Sequence, residues 1–203
     1  VKIAQIPINP NNDEEIISAY TQLINKKSKL VLITHLINLS GQIIPIEKIN
    51  DQIKKIDHRI ITVSDSAHSV SQIDFDFKNS KIDIFAGSLH KWTCCSIGLG
   101  FLKIKKELIP QIWPLFGDTN YPKDNIRKFE HFGTRPLQVY KALNTAIENN
   151  NVFGSIKNKE LRLRYLQQYW RSKVDLQKFS FNTPQDEKRY AAISNIASRL
   201  EQY

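Results

Sequence analysis

The sequence predicts an α/β fold in three layers, with helices on both faces of a mainly parallel sheet, followed by the start of a smaller α+β C-terminal domain. Three observations carry this reading. Short runs rich in Ile, Val and Leu alternate with stretches of helical periodicity. Two of those runs, Leu30 to His35 and Arg59 to Val63, are the apolar blocks expected of strands buried on both faces. Polar clusters stand at the ends of three runs, where ligands bind in open α/β sheets.

Taken in order, Val1 to Ile8 reads as a strand. Asn11-Asn12-Asp13-Glu14-Glu15 then supplies a cap and an acidic first turn for a helix reaching about Asn25. Leu30 to His35 is the next strand. Gly41 and Pro45 break the chain, and Ile46, Ile49, Ile53 and Ile56 recur at helical spacing. Arg59 to Val63 is a strand that ends at Ser64-Asp65. Ile82 to Ala86 and Leu99 to Ile104 are two more, the last approached through Gly98-Leu99-Gly100. Two long helices follow, from about Pro136 to Asn149 and from Ser155, a plausible cap, to about Lys173. Lys178 to Phe181 and Ala191 to Ile196 read as strands of the second domain, with Asn182-Thr183-Pro184 as a turn between them. The boundary is placed after residue 150, giving units 1–150 and 151–203.

Composition narrows the function classes. A hydrophobic fraction of 41% with 24% charged residues excludes a disordered chain. No apolar run approaches the roughly 20 residues of a membrane span. The first ten residues lack the layout of a signal peptide. The two cysteines, Cys94 and Cys95, are adjacent, so they form no disulfide framework and suit a reducing compartment, the cytoplasm. The net charge of +9 comes from scattered pairs such as Lys26-Lys27, Lys54-Lys55 and Lys105-Lys106 rather than from a basic run with interleaved aromatics. That pattern argues against a nucleic-acid partner. The chain contains no Met and starts at Val1, which leads us to expect a piece of a longer gene product.

The chemistry-bearing residues lie in three clusters: Thr34-His35 with Asn38, Ser40 and Gly41; Asp65-Ser66-Ala67-His68; and Gly87-Ser88-Leu89-His90-Lys91-Trp92. Singly, each has an ordinary structural explanation. Asp65 and Ser88 suit caps or turns, and His68 suits a satisfied structural histidine. Together, Asp-x-x-His followed about twenty residues later by Ser-x-His-Lys is a far more specific pattern.

The segment SDSAHSVSQIDFDFKNSKIDIFAGSLHKW resembles the cofactor-binding core of class V aminotransferases, pyridoxal-phosphate enzymes of fold type I. The nearest pattern is that of the isopenicillin N epimerase branch, with the cysteine desulfurases as cousins. THLINLSGQIIPI resembles that family's Gly-Gln-x-x-Pro segment, and FEHFGTRPLQVYKALNTAI resembles its Glu-x-x-Gly-Thr-Arg segment and following helix. The resemblance implies that residues 1–150 are the central part of the pyridoxal-phosphate-binding large domain, and that 151–203 are a linking helix and the beginning of the small domain.

It also implies roles. Lys91 matches the lysine that forms a Schiff base with the pyridoxal 5′-phosphate aldehyde and then moves protons at the substrate α-carbon. Asp65 matches the carboxylate facing the pyridine nitrogen, where an anion keeps that nitrogen protonated. His68 matches the residue near the ring hydroxyl, and Asn38 a polar position in the same region. Ser88 and His90 match phosphate-binding positions. Thr134 matches a residue that reaches the phosphate of the neighbouring subunit in family homodimers, and Arg135 fits the epimerase-like branch. The implied substrate is an amino acid, and the implied reaction is transamination, epimerisation, desulfuration or elimination. The alternative is a truncated, non-catalytic remnant or interaction module of the same fold.

The departures are specific. Where the family runs through a Gly- or Ala-Pro-Lys-Gly stretch, this chain has Thr93-Cys94-Cys95-Ser96-Ile97-Gly98. Adjacent cysteines do not readily both ligate one zinc ion, so no metal site is expected. The family's N-terminal phosphate loop and C-terminal carboxylate-gripping Arg have no counterpart here, and no motif assigns Arg199 to the latter role.

Overall fold

The computed structural model describes residues 1–116, 120–130, 133–134 and 136–198. Helix α1 (Asp13–Thr21) begins where Asn12 accepts a hydrogen bond from the Glu15 N–H at 3.2 Å, ahead of an acidic first turn. It stops at Thr21 rather than near Asn25, because Asn25 and Ser28 close a tight turn on each other. Strand β1 (Leu30–Thr34), helix α2 (Ile46–Ile56) and strand β2 (Ile61–Asp65) form a parallel crossover unit. Strand β3 (Ile84–Ser88) adds in parallel and β4 (Gly100–Ile104) antiparallel, giving the order β1-β2-β3-β4. The carboxyl ends of β1, β2 and β3 therefore share one edge, at Thr34, Asp65 and Ser88.

The core lies between the sheet and helices α1 and α2. Ile16, Ile33, Ile46, Ile49, Ile53, Ile60 and Phe85 are each at most 1% exposed. Ile56, the last of the periodic isoleucines, is 54% exposed, because the helix ends there.

Three expectations are corrected. Residues 1–7 form no strand. Pro7 and Pro10 lack N–H donors, and the segment is instead held by a Gln42 Nε2 hydrogen bond to the Pro7 carbonyl (2.9 Å) and by Ile6 against the core. Among the described residues, strand β1 is covered on one face only: Ile33 is buried, but Leu30 and Leu32, which point the other way, are 55% and 58% exposed. In the C-terminal part, β5 (Phe179–Phe181) pairs antiparallel with β6 (Ile196–Ser198), so the second strand starts where residues 191–196 were expected to end. The reason is that 189–193 are committed elsewhere. Arg189 accepts from the Ile43 N–H, Ala191 is fully buried with Leu36 and Ile73, and the Ala192 N–H donates to Gln72 Oε1 at 3.0 Å.

Two long helices complete the fold: α3 (Leu137–Asn151) and α4 (Ile156–Arg171). The α4 cap is Ser155, which accepts from the Asn158 N–H. Ala146 of α3 packs on Cys95 and Leu99, which lays α3 against the loop between β3 and β4. Among the described residues no helix is long and apolar enough to cross a membrane.

Candidate active site

The turn after β2 is pinned from below. Ser66, fully buried, donates its N–H to the Ala86 carbonyl of β3 at 2.7 Å and its hydroxyl contacts Ser64 Oγ at 3.0 Å. This fixes the residues on either side. Asp65 Oδ1 accepts from the Ala67 N–H at 3.0 Å, and among the described residues no Lys or Arg pairs with its carboxylate. A part-buried carboxylate with oxygen capacity in hand can take up a further proton-bearing partner.

His68 lies one turn further. Its Nε2 is 2.9 Å from Lys91 Nζ, and its Nδ1 is buried without a partner. Burial holds its pKa below the ordinary value, and the Lys91 charge adds to this, against the opposing pull of Asp65. The neutral ring then accepts from the Lys91 ammonium at Nε2, which puts the ring proton on Nδ1.

The Lys91 loop is built around one close approach and two backbone hydrogen bonds. A Cβ at Gly87 would stand 2.3 Å from the Phe101 ring, so any larger residue there would force that ring to shift. Beyond it, the Leu89 N–H donates to the Leu99 carbonyl and the Cys95 N–H to the Leu89 carbonyl, folding residues 89–95 into a closed loop. Cys94 sits in the left-handed region at φ 63°. His90 Nδ1 is 3.2 Å from the Leu99 carbonyl, an atom that can only accept, so Nδ1 carries a proton and Nε2 is the free ring position.

Asp65 and Ser88 line one cleft of about 810 Å³, with Ala67, Leu102, Phe116 and Tyr140 among its other walls. The structure thus brings together Lys91 with His68, and Asp65 with Ser88. It does not join Asn38 or Thr134 to them by a hydrogen bond. Asn38 is exposed on the turn after β1, and Thr134 is exposed ahead of α3. Arg135 and Arg199 lie outside the described residues. Cys94 is exposed and Cys95 buried, both as free thiols. Among the described residues no group of three or more His, Cys, Asp or Glu side chains is placed to hold a metal ion.

Sequence reasoning missed the residues behind the site. Ser71 Oγ and Thr93 Oγ1 meet at 2.8 Å, tying the His68 loop to the Lys91 loop. Asn150 and Lys159 hold the Lys91 loop from the helices. Asn150 lies in a run of three asparagines and Lys159 in a polar helix start, where nothing local distinguishes them from solvated positions.

A family model described as Aminotransferase class-V matches residues 1–200. An isopenicillin N epimerase of Amycolatopsis lactamdurans is 25% identical over 190 residues, covering 86% of this chain and 47% of that protein. A probable cysteine desulfurase of Mycoplasma pneumoniae is 32% identical over 127 residues, covering 62% of this chain and 31% of its own length. Among solved structures, a C-DES variant with glycine covalently linked to its PLP cofactor superposes with a TM-score of 0.77 at 17% identity, over 95% of this chain and 52% of that one. The chain spans about half the length, or less, of these relatives.

Proposed function

Because the chain belongs to the class-V aminotransferase family, we propose that the edge bearing Asp65, His68 and Lys91 is the central part of a pyridoxal-phosphate site, in an enzyme acting on an amino acid. The family's cofactor is pyridoxal 5′-phosphate, and the residues present fit that group. They offer a primary amine, a carboxylate that pairs with no described cation, and a buried imidazole Nδ1 lacking a partner. When bound, the cofactor supplies an aldehyde that takes up an amine and a ring that withdraws electrons from the substrate α-carbon.

The side chains divide the remaining work. Lys91 provides the amine and, once released, carries a proton to or from the α-carbon. Asp65 holds the proton on the pyridine nitrogen by its negative charge. His68 keeps Lys91 in place and presents its Nδ1–H within the buried part of the site. Ser88 would offer its hydroxyl to the phosphate, and His90 would offer its free Nε2 edge. Asn38 contributes a polar group from the neighbouring turn. In a homodimer, the exposed Thr134 would serve the phosphate of the partner subunit's site. The reaction of the whole enzyme is transamination, epimerisation or elimination with C–S cleavage, and the free thiols suit a cytoplasmic protein.

The observation that carries this reading is the 2.9 Å contact between Lys91 Nζ and His68 Nε2 at the strand edge that also bears Asp65. The test is borohydride reduction of the chain after incubation with pyridoxal phosphate, followed by peptide mapping. A pyridoxyl group on Lys91, absent from Lys91→Ala, supports it. Labelling spread over surface lysines such as Lys26 and Lys27, with none on Lys91, refutes it and favours a non-catalytic module.

A further inference from the structure

We propose that Lys159 and Asn150 are positioning residues for Lys91, clamping the two carbonyls that directly follow it in the chain. The Lys159 ammonium donates to the Trp92 carbonyl and, at 2.7 Å, to Asn150 Oδ1. Asn150 Nδ2 donates to the Thr93 carbonyl at 3.0 Å and to the Ala146 carbonyl at 2.8 Å. The amide orientation is fixed by this arrangement: two carbonyls need its NH₂, so its oxygen must face the ammonium.

A lysine on a helix ordinarily extends its ammonium into water. Lys159 does not. It is 7% exposed, Asn150 is 8% exposed and Thr93 is 5% exposed. No described carboxylate pairs with Lys159; the Phe153 ring lies 5.8 Å away, and burial pulls the Lys159 pKa down, only partly offset by nearby Cys94. A buried charge without a counter-ion is costly and is held only by well-directed acceptors. Here those acceptors are the backbone of the loop that presents Lys91, plus one amide that itself grips the same loop.

Geometry gives the clamp its consequence. Residues 89–95 form no helix or strand, and Cys94 is in a left-handed conformation. Ser71 and Thr93 then couple this loop to the one carrying His68. Lys159 and Asn150 therefore fix, from behind, the backbone whose side chain meets His68 at 2.9 Å. The Lys91 side chain is left free to move while its Cα stays put, as a lysine that must alternate between two partners requires.

The proposal rests on the reading of Lys91 as the amine of the site, so the test uses two separable readouts on the full 203-residue chain. One is amide hydrogen exchange by mass spectrometry, which needs no cofactor. The other is borohydride trapping of pyridoxal phosphate on Lys91. Lys159→Met is expected to speed exchange in the 89–96 peptide at least tenfold, to leave β1 and β2 amides unchanged, and to cut the trapped Lys91 yield at least threefold. Lys159→Arg, which keeps the charge and donors, should restore most of both. Asn150→Ala, a smaller lesion, should reproduce the local acceleration. Unchanged exchange in 89–96 for Lys159→Met overturns the clamp. So does acceleration across every strand in both Lys159→Met and Asn150→Ala, which marks a general packing role. A wild-type chain with no adduct on Lys91 defeats the cofactor reading, while the exchange data still decide the clamp.

Discussion

Lys91 Nζ and His68 Nε2 stand 2.9 Å apart on two loops that leave neighbouring parallel strands. Two nitrogen bases at that distance cannot comfortably both be charged. The ring gives way, being partly buried and next to a stronger base. Lys91→Met removes the ammonium but not the burial. The His68 pKa should therefore rise toward its ordinary 6.5 without reaching it. An NMR titration of the His68 ring proton measures this directly, and an unmoved midpoint would mean that the pair does not exist in solution.

At the opposite end of the sheet, Asp83 is the most heavily used carboxylate among the described residues. It accepts from Lys54 at 2.5 Å, Lys105 at 2.7 Å and the Thr62 N–H at 2.9 Å, with its side chain 6% exposed. Burial alone would raise its pKa, but the hydrogen bonds from Lys105 and Lys54 outweigh it and hold the group below its usual value. Asp83→Ala should cost about 3 kcal/mol, the low end for breaking a buried pair, since both lysines reach solvent. Urea unfolding reads this. Because the folded-state pKa is depressed, the carboxylate's contribution is present above the unfolded value of 3.8 and fades as pH falls below it.

A second acid sensitivity starts at milder pH. His35 is 3% exposed, has a buried Nδ1 without a partner, and packs edge-on against Phe75 with ring centroids 4.6 Å apart. Burial pushes its pKa down to about 4 from 6.5. Between those values the unfolded chain binds the extra proton, so stability falls as pH falls. The loss should total roughly 3 kcal/mol and level off below the folded-state pKa. Stability measured from pH 7 to pH 4 in wild type and His35→Leu should separate by this amount at the acid end. Parallel curves would assign the acid loss to other groups.

The strand ends were readable because their information is local. An apolar run followed by Asp-x-x-His or by Ser-x-His-Lys states both the strand and the edge it reaches. Strand limits were less readable, since pairing decides them. Leu30 opposite Ile61 and Val63 opposite Ile84 move β2 and β3 toward their C-terminal ends. Arg59, expected in β2, instead bonds Asp57 in the turn before it. Leu30 and Leu32 match a doubly buried strand in sequence, yet lie on a face that no described helix covers. The clamp was unreadable for a different reason. Lys159 and Trp92 are 67 residues apart, and a buried lysine has the same letter as a solvated one.

Gly41 is where the turn bearing Asn38 meets the C-terminal part of the chain, and two effects coincide there. Its φ of 74° lies in the left-handed region, which a Cβ disfavours by about 1–2 kcal/mol. A Cβ built on it would also stand 2.0 Å from the Ile193 carbonyl oxygen, a backbone atom that cannot swing aside. Ile193 is held in turn through Ala191, buried on Leu36 and Ile73, and through the Ala192 bond to Gln72, whose amide also grips the His68 carbonyl at 2.6 Å. Gly41→Ala must therefore push residues 189–193 away from the turn. The expected cost is about 3 kcal/mol, combining strain and lost packing. Hydrogen exchange should quicken at Ile43 and Ala192, whose N–H groups bridge the two segments. The β1–β2 amides should keep their protection. A Gly41→Ala chain as stable as wild type would mean that the C-terminal segment does not seat on this turn. In that case, the support it gives the His68 loop through Gln72 would be absent as well.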